Sequence, residues 1–280
     1  MNALVCIALS LVAAEPIPQG KSRLTVSAGE AAVELFAYKP KGASGGPLIM
    51  VFHGVKRNAE EYRDHAVAMA DRHNAILAAP RFDEERFPTA KYQQGGLLAD
   101  GKVLPREQWT FACVPRIVAE LRAREGRSDM PYYLIGHSGG GQFVARLAGC
   151  LELDARGLVA ANPGTNLFPS RSQQYPYGFG GLDGPFADEA ALKRYIEQPL
   201  TIYLGTADTA RDPNLDVSPQ ADSQGRNRYE RGRNAFTAAR RLAEENGWTC
   251  RWRLVEAPDV PHDHELMFNH EACRRALFGD

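Results

Sequence analysis

The sequence predicts an α/β fold, with a mostly parallel central sheet flanked by helices. Three observations predict it. Strand-like and helix-like segments alternate along most of the chain. Residues 47–52, PLIMVF, form an unbroken apolar run, as expected of a strand covered on both faces. The apolar strand at 131–135 runs directly into a glycine-rich turn and then a helical pattern at 142–150.

The remaining elements follow in chain order. Residues 23–27 and 32–39 are short alternating runs and read as an antiparallel hairpin. After the strand at 47–52, residues 58–73 read as one helix, with Asn58 as its N-cap. Residues 75–79 are the next strand, and a loop rich in Gly and Gln spans 83–104. The helix at 107–124 places Trp109, Val114, Ile117, Val118 and Leu121 on one face. Strands follow at 157–161, 199–204 and 249–256, with helices at 229–246 and 265–278. The segment 162–198 is rich in Pro, Gly and aromatic residues and lies between two strands. It is expected to be an insertion over the sheet edge, within one domain spanning 15–280.

Composition narrows the function classes. The 280 residues carry 33 Lys and Arg against 34 Asp and Glu, a net charge of −1, so there is no electrostatic footprint for nucleic acid. With 44% hydrophobic and 24% charged residues, the chain is of ordinary globular composition, which excludes disordered, collagen-like and coiled-coil classes. Residues 3–14 are apolar and uncharged, too short for a bilayer span of about 20 residues. They fit a signal peptide ending at Val12-Ala13-Ala14, although no basic residue precedes them. A secreted or periplasmic location is therefore expected, with a cytoplasmic one as the alternative, and no stable membrane insertion.

Cysteine usage bears on the same question. Cleavage removes Cys6 and leaves Cys113, Cys150, Cys250 and Cys273, an even number that suits an oxidising compartment. The expected pairs are Cys113 with Cys150 and Cys250 with Cys273, against four buried free thiols. There is no Cys-x-x-Cys pair to suggest zinc or redox chemistry.

The chemistry concentrates at strand ends. Gly136-His137-Ser138-Gly139-Gly140 has the spacing G-x-S-x-G, set between a strand and a helix. A serine on so sharp a turn needs neighbours without side chains, which Gly136 and Gly140 supply, while His137 shapes the turn. The turn also aims a helix N-terminus at a developing oxyanion. One oxyanion donor is then the amide of Gly139; the other is expected from the loop after PLIMVF, at Val55 in His53-Gly54-Val55.

A hydroxyl nucleophile needs a base, and the base needs an acid to fix its tautomer. The strand at 199–204 leads into Gly205-Thr206-Ala207-Asp208, so Asp208 is the favoured acid, ahead of Asp212, Asp216 and Asp222. The last strand leads to Asp259-Val260-Pro261-His262-Asp263-His264, which offers His262 as the favoured base and His264 as its competitor. A metal reading of His262, His264 and Glu265 lacks visible further ligands, so no metal is expected.

With these residues in view, the chain resembles the α/β-hydrolases. It is similar to the secreted serine esterases grouped around polyhydroxybutyrate depolymerases and feruloyl or acetyl esterases. The resemblance runs from Pro47 to Phe278 and rests on FHG at 52–54, GHSGGGQF at 136–143, GTAD at 205–208 and His262. It implies a triad of Ser138, Asp208 and His262. Acyl transfer to water through that triad needs no cofactor. With no polymer-binding module visible, a small or oligomeric carboxylic ester is the expected substrate. A peptidase or amidase with the same triad, or a non-catalytic hydrolase-fold binding protein, is the alternative. One departure stands out: the family's usual Gly-x-Gly-His turn is replaced by Asp259-Val260-Pro261-His262.

Overall fold

The computed structural model describes residues 15–29 and 32–280. The expected signal peptide, with Cys6, lies outside the described residues. The chain opens with the hairpin β1 (Gly20–Ser27) and β2 (Ala32–Lys39), paired antiparallel along its full length. Next comes β3 (Leu48–Phe52), every residue of which is buried. The expected helix at 58–73 is two helices, α1 (Ala59–His65) and α2 (Val67–His73), divided at Ala66. Asn58 makes no side-chain cap; its amide donates to Glu61 Oε2 instead, at 2.8 Å. After β4 (Ile76–Arg81), the loop at 83–104 contains a small hairpin, β5 (Leu98–Ala99) and β6 (Lys102–Val103).

The helix expected at 107–124 starts later. Residues 106–112 form two 3-10 turns separated by extended Trp109, so that residue leaves the helical face. In α3 (Cys113–Arg124), Val114, Ile117, Val118 and Leu121 are buried together, as the periodicity predicted. The chain continues through β7 (Tyr132–His137), α4 (Gly139–Cys150) and β8 (Gly157–Ala161). Residues 162–198 hold more structure than the pattern gave, because α5 (Glu189–Ile196) forms within them and packs beside α4. There follow β9 (Leu200–Gly205), α6 (Pro219–Asp222), α7 (Arg228–Asn246) and β10 (Arg253–Ala257). The last expected helix is divided near His270 into α8 (His264–Asn269) and α9 (Ala272–Phe278).

The main sheet has eight strands in the order β1-β2-β4-β3-β7-β8-β9-β10. The β1–β2 and β2–β4 pairs are antiparallel; the others are parallel. From β3 the chain moves to β4 on one side and then to β7 on the other. The carboxyl ends of β3 and β7 therefore flank a switch point, where open α/β sheets leave a crevice. Alternation along β3 explains the two-sided core. Leu48, Met50 and Phe52 join the cluster under α3, α4, α5 and α7, while Ile49 and Val51 join the cluster under α1, α2, α8 and α9.

The same division bears on the cysteines. Cys113, Cys150, Cys250 and Cys273 are all free. Cys250 packs on the first cluster and Cys273 lies in the second, so the sheet stands between the two residues expected to pair. Cys113 instead donates its thiol to the Ala28 carbonyl at 3.4 Å. Among the described residues, no helix is long and apolar enough to cross a membrane.

Candidate active site

Four parallel strands deliver the site. Ser138 follows β7 directly and has φ 58° and ψ −118°, a left-handed conformation that costs a non-glycine residue about 1–3 kcal/mol. Its N–H donates to the Ala161 carbonyl at 2.9 Å, and its carbonyl accepts from Gln142 N at 3.0 Å. The flanking glycines are needed for close approach. A Cβ on Gly136 would stand 2.1 Å from the Gly140 carbonyl oxygen, and one on Gly140 would stand 2.1 Å from that of Phe52. The serine is thus held up on a turn packed tightly against β3.

Asp208 lies three residues beyond β9 and is almost fully buried; its N–H donates back to the Gly205 carbonyl at 3.1 Å. His262 sits in the loop after β10, ahead of Asp263, whose carboxylate caps α8 by accepting from Leu266 N at 2.9 Å. His262 bridges the other two residues. Its Nε2 is 3.0 Å from Ser138 Oγ, and its Nδ1 is 2.7 Å from Asp208 Oδ2. An ionised carboxylate only accepts, so Nδ1 carries the hydrogen and the Nε2 lone pair faces the serine hydroxyl. That arrangement can take the serine proton as oxygen attacks.

The amide of Gly139 opens α4, and Val55 N lies 3.3 Å from where a Gly139 Cβ would be. The two loops thus meet next to Ser138. The loop that carries Val55 is fixed from beneath. His53 is fully buried, with Nδ1 2.9 Å from the Gly54 carbonyl and Nε2 accepting from Phe82 N at 3.1 Å. Tyr92 donates to the His53 carbonyl at 2.8 Å. Burial, reinforced by Arg57 and Arg81 and opposed by the Gly54 carbonyl, holds the His53 pKa down at about 3, so the ring is neutral at ordinary pH.

His137 is also buried. Its ring is 4.5 Å, centroid to centroid, from that of His262, and its nitrogens lie 3.4 Å from Tyr62 Oη and from Asn162 Nδ2. Burial first, and then His262, His264 and Arg228, keep it well below the usual histidine range. Its ring packs against that of His262.

The competing residues are engaged elsewhere. His264 stacks on Tyr62, with ring centroids 3.9 Å apart, and faces His65. Asp212 pairs with Arg228, Asp216 accepts from Tyr177 Oη, and Asp222 pairs with Arg211 and Arg231. Arg57 and Arg81, arginines near the site that could have held an anionic group, are turned away: Arg57 lies over the Tyr92 ring and Arg81 pairs with Glu34. In the segment 162–198, Phe179 and Phe186 are buried, and Tyr175 Oη donates to the Gln94 carbonyl. These three rings pack against the body of the domain.

Several residues around the site were not found by sequence reasoning. Asn162, just after β8, accepts from Gly205 N at 2.8 Å and so ties the ends of β8 and β9. Its Asn-Pro step at a strand end was the available signal. Arg228 is buried with a guanidinium nitrogen 3.6 Å from Asp208 Oδ1, and its Nη2 donates to Asp212 at 3.1 Å. Arg146 is fully buried on α4 and donates to the Pro176 and Gln93 carbonyls, Gln142 Oε1 and Thr165 Oγ1, at 2.8–3.0 Å. It ties the Gln93 loop and two points of the segment 162–198 to α4. An arginine on an otherwise apolar helix face was its only mark in the sequence. The crevice itself has a volume of 310 Å³ and is lined mainly by polar side chains, among them Lys56, Asn58, Glu61, Asp212 and Asn214.

Comparison with known proteins adds to this geometry. No protein-family model matches the sequence, and no curated protein is significantly similar. Solved structures do match. The chain is similar to poly(aspartic acid) hydrolase-1 from Sphingomonas sp. KT-1, with 32% identity and a TM-score of 0.85, over 90% of this chain and 96% of that one. It is similar to the poly(3-hydroxybutyrate) depolymerase of Bordetella parapertussis, with 34% identity and a TM-score of 0.85, over 92% of this chain and 90% of that one. An S-formylglutathione hydrolase from Staphylococcus aureus shares the fold alone, at 13% identity and a TM-score of 0.55, over 93% of this chain and 98% of that one.

Proposed function

We propose that this chain, which belongs to the α/β-hydrolase superfamily of serine esterases and depolymerases, hydrolyses carboxylic esters through an acyl-enzyme on Ser138. The observation that carries the reading is His262 standing between Ser138 Oγ at 3.0 Å and the buried carboxylate of Asp208 at 2.7 Å. Ser138 Oγ attacks the ester carbonyl carbon while His262 Nε2 takes its proton. The resulting oxyanion accepts from the amides of Val55 and Gly139. Collapse expels the alcohol, which receives the proton from His262. Water then repeats the sequence on the acyl-enzyme and frees the acid. Asp208 holds the tautomer and stabilises the imidazolium. No step calls for a cofactor.

The polar lining of the crevice favours a compact or oligomeric ester bearing hydrogen-bonding groups over a long alkyl chain. The test is hydrolysis of p-nitrophenyl esters from acetate to palmitate by the wild type and Ser138→Ala. The expected result is a short-chain optimum and a loss of roughly 10⁴- to 10⁶-fold in the variant. Equal rates in the two proteins would sink the reading. Amide hydrolysis is the second reading, favoured by the similarity to a poly(aspartic acid) hydrolase at 32% identity. Release of new amino groups from poly(aspartic acid), absent in Ser138→Ala, is its signature. We also propose export with cleavage after the apolar segment 3–14; recovery of the protein from the cytoplasm with Met1 still at its N-terminus would overturn this.

A further inference from the structure

We propose that Glu61, His65 and His264 form a site for a divalent transition cation of the zinc class, joining the helix after the Val55 loop to the helix after the His262 loop. The proposal does not rest on the hydrolytic reading. Glu61 and His65 are four residues apart on α1 and so share a face. His264 opens α8, which packs against α1. His65 Nδ1 lies 3.0 Å from His264 Nε2, and Glu61 Oε1 lies 3.8 Å from the same His264 nitrogen. The three donor atoms fall within 4.8 Å of one another. Two nitrogens bound to zinc at about 2.0–2.1 Å stand roughly 3.0–3.4 Å apart, so the imidazoles need almost no rearrangement.

The surroundings also suit a ligating pair. His65 Nε2 faces Glu265 Oε2 at 3.6 Å, and a carboxylate behind an imidazole fixes the tautomer that points the opposite lone pair at the ion. The His264 ring is held flat on Tyr62, with an interplanar angle of 6°. Two imidazoles and one carboxylate match zinc-class ions and not the all-oxygen sets of magnesium or calcium, and three protein ligands leave a coordination position to solvent. The His-x-His pair offered no partners by spacing because His65 stands 199 positions before His264. A bound ion would clip together the two loops that carry Val55 and His262.

The test is titration of zinc chloride into the metal-stripped full-length protein, followed by calorimetry and by the thermal midpoint. One ion per chain is expected, with a raised midpoint. Affinity should fall at least about tenfold in Glu61→Gln and further in His65→Gln. Circular dichroism checks that both variants are folded. If His65→Gln does not fold, Glu61→Gln, whose native side chain is half exposed, carries the test. The absence of binding by the wild type would leave only a hydrogen bond between imidazoles and overturn the proposal. So would binding undiminished in both variants, or binding lost in His262→Ala alone, which would put the ion beside Ser138.

Discussion

Asp208 separates a structural acid from a working one. Its Oδ2 accepts from His262, while its Oδ1 has only the Arg228 guanidinium at 3.6 Å. Asp208→Asn preserves the shape but can turn an N–H toward His262, which forces the wrong tautomer and leaves no lone pair facing Ser138. We expect kcat to fall about 10⁴-fold with KM nearly unchanged. Steady-state kinetics on a p-nitrophenyl ester would check it, and a loss below tenfold would remove Asp208 from the role and turn attention to Asp212. Asp208, Ser138 and His262 were candidates from the sequence for one reason: each follows an expected strand, and parallel strands bring their carboxyl ends together. Asn162, Tyr62 and Arg146 were far less legible. Their roles depend on partners such as Gly205, His137 and Gln93, which only the folded chain brings near.

At the scale of elements, the site depends on how closely α4 approaches β3. Gly140 meets the Phe52 carbonyl oxygen where a Cβ would lie at 2.1 Å, with the His53 carbonyl oxygen next at 2.8 Å. Both contacts are backbone and cannot swing aside. Gly140→Ala must push α4 away from β3 and move the loop that carries Val55. A loss of about 2–3 kcal/mol in unfolding free energy is expected, together with a fall in kcat. Urea denaturation would read the first, and a midpoint equal to the wild type would show that the contact yields. The same backbone crowding decides what the pattern could reveal. Strands β3, β7, β8 and β9 were legible because burial on both faces leaves continuous apolar runs. The break at Ala66 between α1 and α2 was not, because the residues on either side still suit a helix and nothing such as Pro or Gly marks the break. Trp109 looked helical by spacing, yet it lies between two 3-10 turns, because tertiary packing of its ring overrode local periodicity. The helix α5 was hidden among Pro, Gly and aromatic residues whose composition suggested only loop.

For the whole molecule, His53 ties adjacent strand ends together in the middle of the sheet, and that tie sets a pH dependence. The residue follows β3, and its Nε2 accepts from the N–H of Phe82, which follows β4. Protonation would destroy that acceptor and place a charge where no solvent reaches. Folding lowers the pKa from about 6.5 to about 3, burial being the main cause. The unfolded chain therefore takes up this proton first as the pH falls. The stability contribution is fully present above pH 6.5, declines below it, and is exhausted only near pH 3. Across that window one such histidine costs about 1.4 kcal/mol per pH unit, or roughly 2 kcal/mol between pH 6.5 and 5. Other groups titrate over the same range, so the wild type alone cannot assign the slope. His53→Gln isolates it, because an amide can accept from Phe82 and takes up no proton. The variant should be less stable at pH 7.5 and should lose less on acidification, with the difference amounting to about one proton. Urea unfolding of both proteins at pH 7.5, 6 and 5 measures this directly. Parallel slopes would mean that His53 escapes its cost by local opening, and the Val55 loop would then be the first part of the sheet to give way in acid.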